Sequence, residues 1–265
     1  MGAKTEILWT DATFNPWWGC TKISEACEHC YAETWAKRCG WDTFGSDRQR
    51  RFFKEAHWNE PHRWNRNAQL EGRRTKVFCG SMCDVFEDGS ELNPVRQSLW
   101  RLIEETAYLD WLLLTKRPEN ALRMVPEGWR WIWPQNIWFG FTAENQENFD
   151  RRQVYAADIP CRIRFVSFEP LLGPIYCRDF RTLKISWAIV GGESGSHARL
   201  MHPDWARSVV RQCKSAGVAC FVKQVSVNGK ISKNMDEWPS DLQIREFPNA
   251  TKTVEIAAGK SETQG

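Results

Sequence analysis

Three cysteines lie close together near the start of the sequence, at Cys20, Cys27 and Cys30. Their spacing is C-x6-C-x2-C, and three thiolates of this kind can hold three irons of a [4Fe–4S] cluster. The fourth iron would then lack a protein ligand and could bind a small molecule directly. A cluster that only transfers electrons normally has protein ligands on all four irons, so a set of three indicates chemistry at an open iron.

Two other interpretations of these thiols stay open on spacing alone. A structural zinc ion could use the three cysteines with His29 or Cys39 as its fourth ligand. The thiols could also be inert, buried side chains. The chain has ten cysteines and starts without the apolar stretch of a secretory signal, so we expect a soluble protein of the reducing cytoplasm. Clustered cysteines there bind metals more often than they form disulfides.

The elements that position these cysteines follow a βα alternation. Short apolar runs, each followed by a turn and a helix-compatible stretch, predict parallel strands covered on both faces. The predicted strands are Glu6–Trp9, Lys76–Cys79, Asp110–Leu114, Asn136–Phe141, Ile163–Phe168, Ser186–Val190 and Ala219–Lys223. Helices are predicted over Pro94–Ala107 and Pro203–Ala216, the second with Gly217 as its C-cap.

This alternation predicts an α/β fold, namely a partial or full TIM-like (β/α)6-8 barrel of parallel strands in a single domain. The barrel would cover residues 1–256, with an insertion at about residues 40–75, and residues 257–265 would form a flexible polar tail. Active sites of such barrels lie at the carboxyl ends of the strands. Polar or glycine-containing segments fall at six of these ends, at residues 80–84, 115–118, 142–145, 169–170, 191–195 and 223–224.

Longer motifs carry a resemblance to a known family. They are WTDATFNP at 9–16, CYAE at 30–33, HWNEP at 57–61, LTKRPE at 114–119, FEPLLGPI at 168–175, IVGGESG at 189–195, MHPDW at 201–205 and FVKQ at 221–224. The cysteine loop after the first strand is similar to that of the radical S-adenosylmethionine (SAM) superfamily, in a variant with a longer first spacing. Most of the chain resembles a phage and bacterial family of three-cysteine-motif, radical-SAM-like proteins.

The resemblance implies two cofactors, a [4Fe–4S] cluster on the three cysteines and SAM. The open iron would bind the amino and carboxylate groups of SAM, and cleavage would give a 5′-deoxyadenosyl radical that abstracts hydrogen from the substrate. Cofactor contacts are expected from Gly80, Ser81, Thr142, Glu144, Asn145, Gly191, Gly192 and Glu193. The first two would face the methionine end and the next three the ribose. The last three repeat the superfamily's methionine-binding triplet in letters, but they follow a late strand and receive no specific role.

Charged residues on inner strand ends are the candidate catalytic groups, namely Glu169, Lys116 and Lys223. They would contact a carboxylate, phosphate or base of the substrate, or else form an internal salt-bridge ring, with Arg117, that shapes the mouth. Cys83 departs from the family pattern, in which serine is usual. It is either a redox or hydrogen-donating thiol near the cluster or an ordinary buried exchange. The spacing assigns no role to Cys79, and none to Cys39 apart from that of the alternative zinc ligand.

A basic, aromatic segment covers residues 48–76, with nine Lys or Arg against three acidic residues, although the whole chain has a net charge of only +3. Basic side chains contact phosphates and aromatic rings stack on unpaired bases, so this composition fits nucleic acid. The alternative is an amphipathic insertion with its rings on the barrel and its arginines in water. Candidate nucleic-acid contacts are Arg48, Arg50, Arg51, Lys54, Trp58 and Trp64.

These expectations lead to three functional hypotheses. The first is a radical SAM enzyme acting on a modified nucleobase in phage DNA, most specifically the isomerisation of N-linked to C-linked glycyl-thymidine, with the target base flipped out of the duplex. The second is a radical SAM enzyme acting on a free nucleotide, amino acid or protein. The third is a non-catalytic, zinc-stapled nucleic-acid-binding protein. The resemblance implies DNA, an electron donor such as flavodoxin or ferredoxin, and a genetically linked protein as partners, with no membrane.

Overall fold

Seven parallel strands and one antiparallel strand form the central sheet in a computed structural model, which describes residues 5–195 and 197–249. The eight strands of this sheet lie side by side in chain order, and only the last runs antiparallel to its neighbour. The sheet is curled into a half-barrel that is left open between its first and last strands. The predicted α/β partial barrel is therefore confirmed. The predicted tail at residues 257–265 lies outside the described residues.

The helices and strands alternate as the apolar runs predict. The strands are β1 Ala12–Phe14, β2 Trp17–Trp18, β3 Arg51–Phe52, β4 Thr75–Cys79, β5 Leu109–Thr115, β6 Ile137–Thr142, β7 Ile163–Phe168, β8 Ile185–Gly191, β9 Ala219–Val227 and β10 Lys230–Ser232. The helices are α1 Tyr31–Arg38, α2 Glu55–Trp58, α3 Glu60–Leu70, α4 Asn93–Glu105, α5 Ala121–Met124, α6 Gln146–Ala157 and α7 Pro203–Ala216. No helix among the described residues is long and apolar enough to cross a membrane.

The two faces of the sheet bury different sets of side chains. Successive residues of a strand point to opposite faces, so Trp111 and Leu113 pack under the helices while Leu112 points into the concave face. The concave cluster joins one or two residues from each of six strands, namely Phe78, Leu112, Trp138, Ile163, Phe165, Trp187, Ile189 and Phe221, with Trp9. These large apolar side chains fill the amino-terminal half of the barrel, which is therefore a packed core and not a channel.

Glycine at position 140 is required by this packing. A Cβ added there would lie 2.2 Å from the ring of Phe165, which occupies the space in front of β6. The absence of a side chain on one strand therefore makes room for the ring supplied by the next.

The predicted first strand over Glu6–Trp9 is wrong, because the strand that pairs with β4 is Ala12–Phe14. The apolar residues before it are buried for another reason. Trp9 is 2% exposed, and its ring packs against Phe78 at 4.6 Å and Trp187 at 6.1 Å between centroids. The apolar residues here therefore indicate burial of the Trp9 side chain at the amino end of the barrel, and not a strand.

A stack of aromatic rings fixes the segment that connects α1 with β4. His57 lies between Phe53, at 4.2 Å, and the fully buried Phe14, at 4.6 Å, and its Nε2 contacts the Asn15 carbonyl at 2.9 Å. Burial lowers the pKa of His57, although the Asn15 carbonyl favours the charged form. The stack attaches β3 and α2 firmly to the first strand of the sheet.

Candidate functional site

The three cysteines lie on one loop, residues 19–30, which follows β2 and ends where α1 begins. All three are free thiols and half-buried. The backbone N–H of Gly19 donates to the Met82 carbonyl, which lies just past the carboxyl end of β4. Gly19 also has φ +115°, and a Cβ there would be 2.2 Å from the Thr43 carbonyl. The start of the cysteine loop is thus held at the carboxyl edge of the sheet.

Two cations approach the thiols from the end of β5. Arg117 donates from Nη1 to the Cys20 sulfur at 3.5 Å. Burial raises the pKa of Cys20 to about 12, with Arg117 acting in the opposite direction. Burial also acts to raise the pKa of Cys27, but Lys116 and the hydrogen bonds around Ser24 more than offset it, so this pKa is lowered.

The donor set matches an iron–sulfur cluster in its chemistry. Three thiolates on one loop supply three ligands, and Lys116 and Arg117 offset the negative charge that such a cluster carries. In the described part of the chain, no three His, Cys, Asp or Glu side chains are grouped so as to hold a metal ion. The cysteines therefore fit a cluster by the chemistry of their thiols and the nearby cations, and not because their sulfurs are already grouped around one point.

Cys39 and His29, the two candidates for a fourth zinc ligand, differ in their position relative to the three cysteines. Cys39 follows the last turn of α1 while Cys30 precedes its first turn, so about 13 Å of helix separates them. His29 is oriented by Glu193, whose Oε2 lies 3.0 Å from the His29 Nδ1. Cys39 is thus not a member of the same group of thiols.

A buried charge network supports the first part of the cysteine loop. Arg117 also pairs with Asp84 at 3.0 Å and donates to the Thr21 carbonyl at 2.7 Å. Glu87 accepts from the Thr21 N–H at 2.7 Å and pairs with Arg50 at 2.9 Å. These contacts connect the cysteine loop with the ends of β4 and β5.

A second network holds the other part of the loop. Arg199 pairs with Glu193 at 2.6 Å and Glu28 at 3.2 Å, and it donates to the Glu25 carbonyl at 2.9 Å. Glu193 is 4% exposed, and although burial acts to raise its pKa, hydrogen bonds from Arg199 and His29 lower it. The carboxylate that was predicted to bind cofactor is therefore engaged with the protein's own loop.

The predicted ribose-binding residues follow β6 and also lie under the cysteine loop. Glu144 pairs with Arg152 at 2.6 Å in a nearly inaccessible site, and its Oε1 is buried without a hydrogen-bond partner among the described residues. Asn145 caps α6 by accepting from the Asn148 N–H, and its amide donates to Glu25. Thr142 is buried at the end of its strand. Although burial acts to raise the pKa of Glu144, Arg152 and the nearby Ser24 side chain of the cysteine loop lower it.

Gly80 and Ser81, predicted to face the methionine end of SAM, follow β4, whereas Gly191 and Gly192, which received no specific role, lie at the end of β8. Ser81 accepts from Asn15 Nδ2 through its hydroxyl at 3.0 Å and from the Tyr31 hydroxyl through its carbonyl at 2.8 Å. Gly80 allows close approach of Cys83, whose sulfur would be 2.7 Å from an added Cβ. Gly191 is the last residue of β8 and Gly192 follows it, where an added Cβ would meet Ile231 at 2.8 Å.

Two of the candidate catalytic groups form an ion pair at the mouth. Lys223 and Glu169 contact each other directly, and their side chains are 14% and 16% exposed. Lys116 lies apart from this pair, near the Cys27 thiol and Glu144. Buried side chains seal the barrel below, so the mouth presents one paired and one separate cation above an apolar floor.

The candidate nucleic-acid residues fall into different environments. Arg50 is 6% exposed and bonded to Glu87, Thr43 and Gly45, and Trp64 is 4% exposed in the core. Trp58 is half-buried against the core. Arg48 pairs with Asp42, Arg51 lies against aromatic rings and Lys54 is exposed. The structure therefore brings only part of this set to the surface.

Two residues at the site carried no usable signal in the sequence. Arg199 lies in coil and is 169 or more positions from the cysteine loop it holds, so its partners become apparent only after folding. Tyr31 follows Cys30 directly, and its hydroxyl donates to the Ser81 carbonyl. Its position beside the cysteine motif did not predict this contact.

Fold and site together define an α/β half-barrel protein with a three-cysteine loop at the carboxyl edge of its parallel strands. A family model described as "Protein of unknown function (DUF5131)" matches residues 4–254, and the chain belongs to this family. No curated protein matches the sequence.

Two solved structures resemble the fold. One is a cysteine-to-alanine mutant of spore photoproduct lyase with dinucleoside spore photoproduct, at 12% identity and a TM-score of 0.41. The other is a tyrosine-to-phenylalanine mutant of the same lyase, at 12% identity and a TM-score of 0.42. Each alignment covers 78% of this chain and 53% of the other, so the chain spans about half the length of these structures.

Proposed function

We propose that this protein is a radical SAM enzyme that acts on a nucleobase carried by DNA. The observation that carries the proposal is the position of three free thiols on one loop at the carboxyl edge of a parallel half-barrel. Lys116 and Arg117 face that loop, and a mouth lined by charged groups lies beside it. Three thiols fit a cluster with one open iron, and the edge is where such barrels place their chemistry.

Each residue of the site has a role in this proposal. Cys20, Cys27 and Cys30 would hold the cluster, which with SAM supplies a 5′-deoxyadenosyl radical when both are bound. Arg117 donates to the Cys20 sulfur and holds the Thr21 backbone, and Arg199 holds the other half of the loop. The apolar floor below the mouth excludes water from the face on which a radical would react.

The ion pair at the mouth suits a substrate with both charges of an amino acid. Lys223 can receive a carboxylate and Glu169 an ammonium group if the pair opens to admit the ligand. The finer proposal, which comes from the family resemblance and with which this pair is compatible, is glycyl-thymidine, whose glycine would be moved from an N-linkage to a C-linkage on the thymine methylene. Hydrogen is removed and then returned in such an isomerisation, so it needs no net oxidant or reductant.

Anaerobic reconstitution with iron and sulfide, followed by reduction in the presence of SAM, tests the proposal. The intact chain should bind about four irons and release 5′-deoxyadenosine. A Cys27→Ala variant should lose both properties. Cys39→Ala is the matched control, because Cys39 is exposed and lies at the far end of α1, and it should keep both.

The contrary result is equally clear. A tightly bound zinc ion at the three cysteines, with no cleavage of SAM, would overturn the enzyme proposal and favour a metal-stapled nucleic-acid-binding protein. Retained iron and SAM cleavage in Cys27→Ala would show that the cluster ligands have been assigned to the wrong residues.

A further inference from the structure

Four exposed aromatic side chains lie on α1, just after α1 and on β3, close in sequence to the cysteine loop, and one of them, Trp41, lies against Arg51. Tyr31 and Trp35 lie one turn apart on α1, Trp41 follows that helix, and Phe52 and Arg51 form β3. The four rings are 46%, 48%, 42% and 46% exposed, in the order Tyr31, Trp35, Trp41 and Phe52. We call these five residues the aromatic platform. Neither the cysteine chemistry nor the packing of the barrel accounts for this exposure.

The platform is rigid on its inner side. The Arg51 guanidinium lies 4.4 Å from the ring of Trp18, 4.3 Å from that of Trp41 and 5.0 Å from that of Phe53. Cation–π contacts of this kind hold Trp41 in place while one of its faces stays accessible. The opposite face of α1 buries Ala32 and Ala36, so its exposed face cannot turn inward.

Two exposed cations lie beside the platform, whereas the acidic residues next to it, Glu33 and Asp42, are paired with other cations. Arg38 lies in the last turn of α1, and Lys54 follows β3 by one residue. Both are exposed, and neither forms an ion pair among the described residues. An apolar protein partner would leave these charges without partners, whereas the phosphates of a nucleic acid would neutralise them.

We propose that the aromatic platform is a stacking surface for single-stranded nucleic acid. Bases inside a duplex stack on one another, so exposed flat rings select unpaired or extruded bases. Successive bases would stack on Trp41 and Trp35 while the backbone follows Arg38 and Lys54. Tyr31 lies at the mouth end of this path, because its hydroxyl donates to the carbonyl of Ser81. The inference rests on the proposed function for its choice of partner.

Binding can be measured without any cofactor. We would titrate the full chain into a fluorescein-labelled 12-nucleotide single strand of mixed sequence and into the matching duplex, and record anisotropy. Trp35→Ala and Trp41→Ala should each weaken single-strand binding by about 5- to 100-fold, which is the effect of losing one stacked base. Trp131→Ala is the matched control, since Trp131 is 87% exposed but precedes β6 at the amino end of the barrel. It should bind as the unchanged chain does.

The charges provide a second variant that does not disturb the rings. Arg38→Gln with Lys54→Gln should reduce the slope of log affinity against log salt by about 0.7 for each lost phosphate contact. Unchanged affinity in both tryptophan variants, stronger binding to the duplex, or no binding to either strand form would overturn the proposal. Failure of SAM cleavage would leave these binding results unaffected, so the two proposals can fail separately.

Discussion

The two ends of the half-barrel are held together by different kinds of contact. At the amino end, Trp187 is fully buried and its ring lies within 6.3 Å of those of Trp9, Trp138, Phe165 and Phe221. At the carboxyl end, the same strands lead into loops joined by ion pairs and charge-assisted hydrogen bonds. Apolar packing thus fills the inside of the barrel at the amino end, whereas polar contacts hold the loops at the carboxyl end.

The largest expected effect comes from the amino end. Trp187→Ala should lower the free energy of unfolding by about 3–5 kcal/mol, because it leaves a cavity among aromatic rings. It also removes the 2.9 Å hydrogen bond from Trp187 to the Glu246 carbonyl. Urea denaturation measures the change. Trp131→Ala, at an exposed ring, should stay within about 0.5 kcal/mol of the unchanged chain. Equal losses in the two variants would show that burial of the Trp187 ring does not stabilise the amino end.

An intermediate effect is expected at the carboxyl end. Glu144→Gln should cost about 3 kcal/mol, because Arg152 would keep its buried charge without a counterion. Burial acts to raise the pKa of Glu144, but Arg152 and nearby donors lower it overall. The folded pKa is thus below its ordinary value of 4.5, so this contribution is complete above pH 4.5 and is lost as pH falls through the folded value.

Urea denaturation at several pH values checks this sign. The unchanged chain should lose stability on acidification below pH 4.5 more steeply than Glu144→Gln does. Parallel curves for the two proteins would show that the pair does not stabilise the fold through its charge.

The smallest loss of stability is expected where β6 packs against the Phe165 ring. Gly140→Ala should destabilise the protein by about 1–3 kcal/mol, because the new methyl group meets the Phe165 ring. Gly128→Ala is the matched control, since a Cβ there has nothing within 4 Å. Adding Phe165→Leu to Gly140→Ala should recover part of the loss. Recovery would locate the strain at this contact, and a purely additive loss in the double variant would contradict it.

The central strands could be predicted from the sequence because their apolar residues are buried on both faces. Ile163–Phe168 is a strand with the predicted bounds, and α7 covers the predicted Pro203–Ala216, ending at Gly217 with φ +70°. The strand predicted over Glu6–Trp9 was wrong, because apolar side chains indicate that a segment is buried but not that its backbone pairs with another strand. Trp9 is buried as a plug, while the pairing with β4 begins three residues later.

The contacts at the site were harder to predict than the strands, because its side chains pair with residues that are distant in the sequence. The strand ends indicated which polar residues meet at the rim, and Glu169 does pair with Lys223. The sequence did not indicate that Glu144, Asn145 and Glu193 contact the protein's own loop networks. Composition likewise could not separate the surface from the interior of the basic segment, where Arg50 is buried by Glu87 and Arg51 is held by rings.

The open seam between β1 and β10 has a consequence for the size of the mouth. In a closed barrel, strand number and stagger fix the circumference through peptide hydrogen bonds. Here, among the described residues, side chains connect the segment after β1 with the loop after β8: Glu193 and Arg199 contact His29, Glu28 and Glu25, and the rings of His29 and His197 lie 6.5 Å apart. These side chains span a gap that no strand pairing closes, so we expect a substitution of Glu193 or Arg199 to change the width of the opening while leaving the strands unaltered.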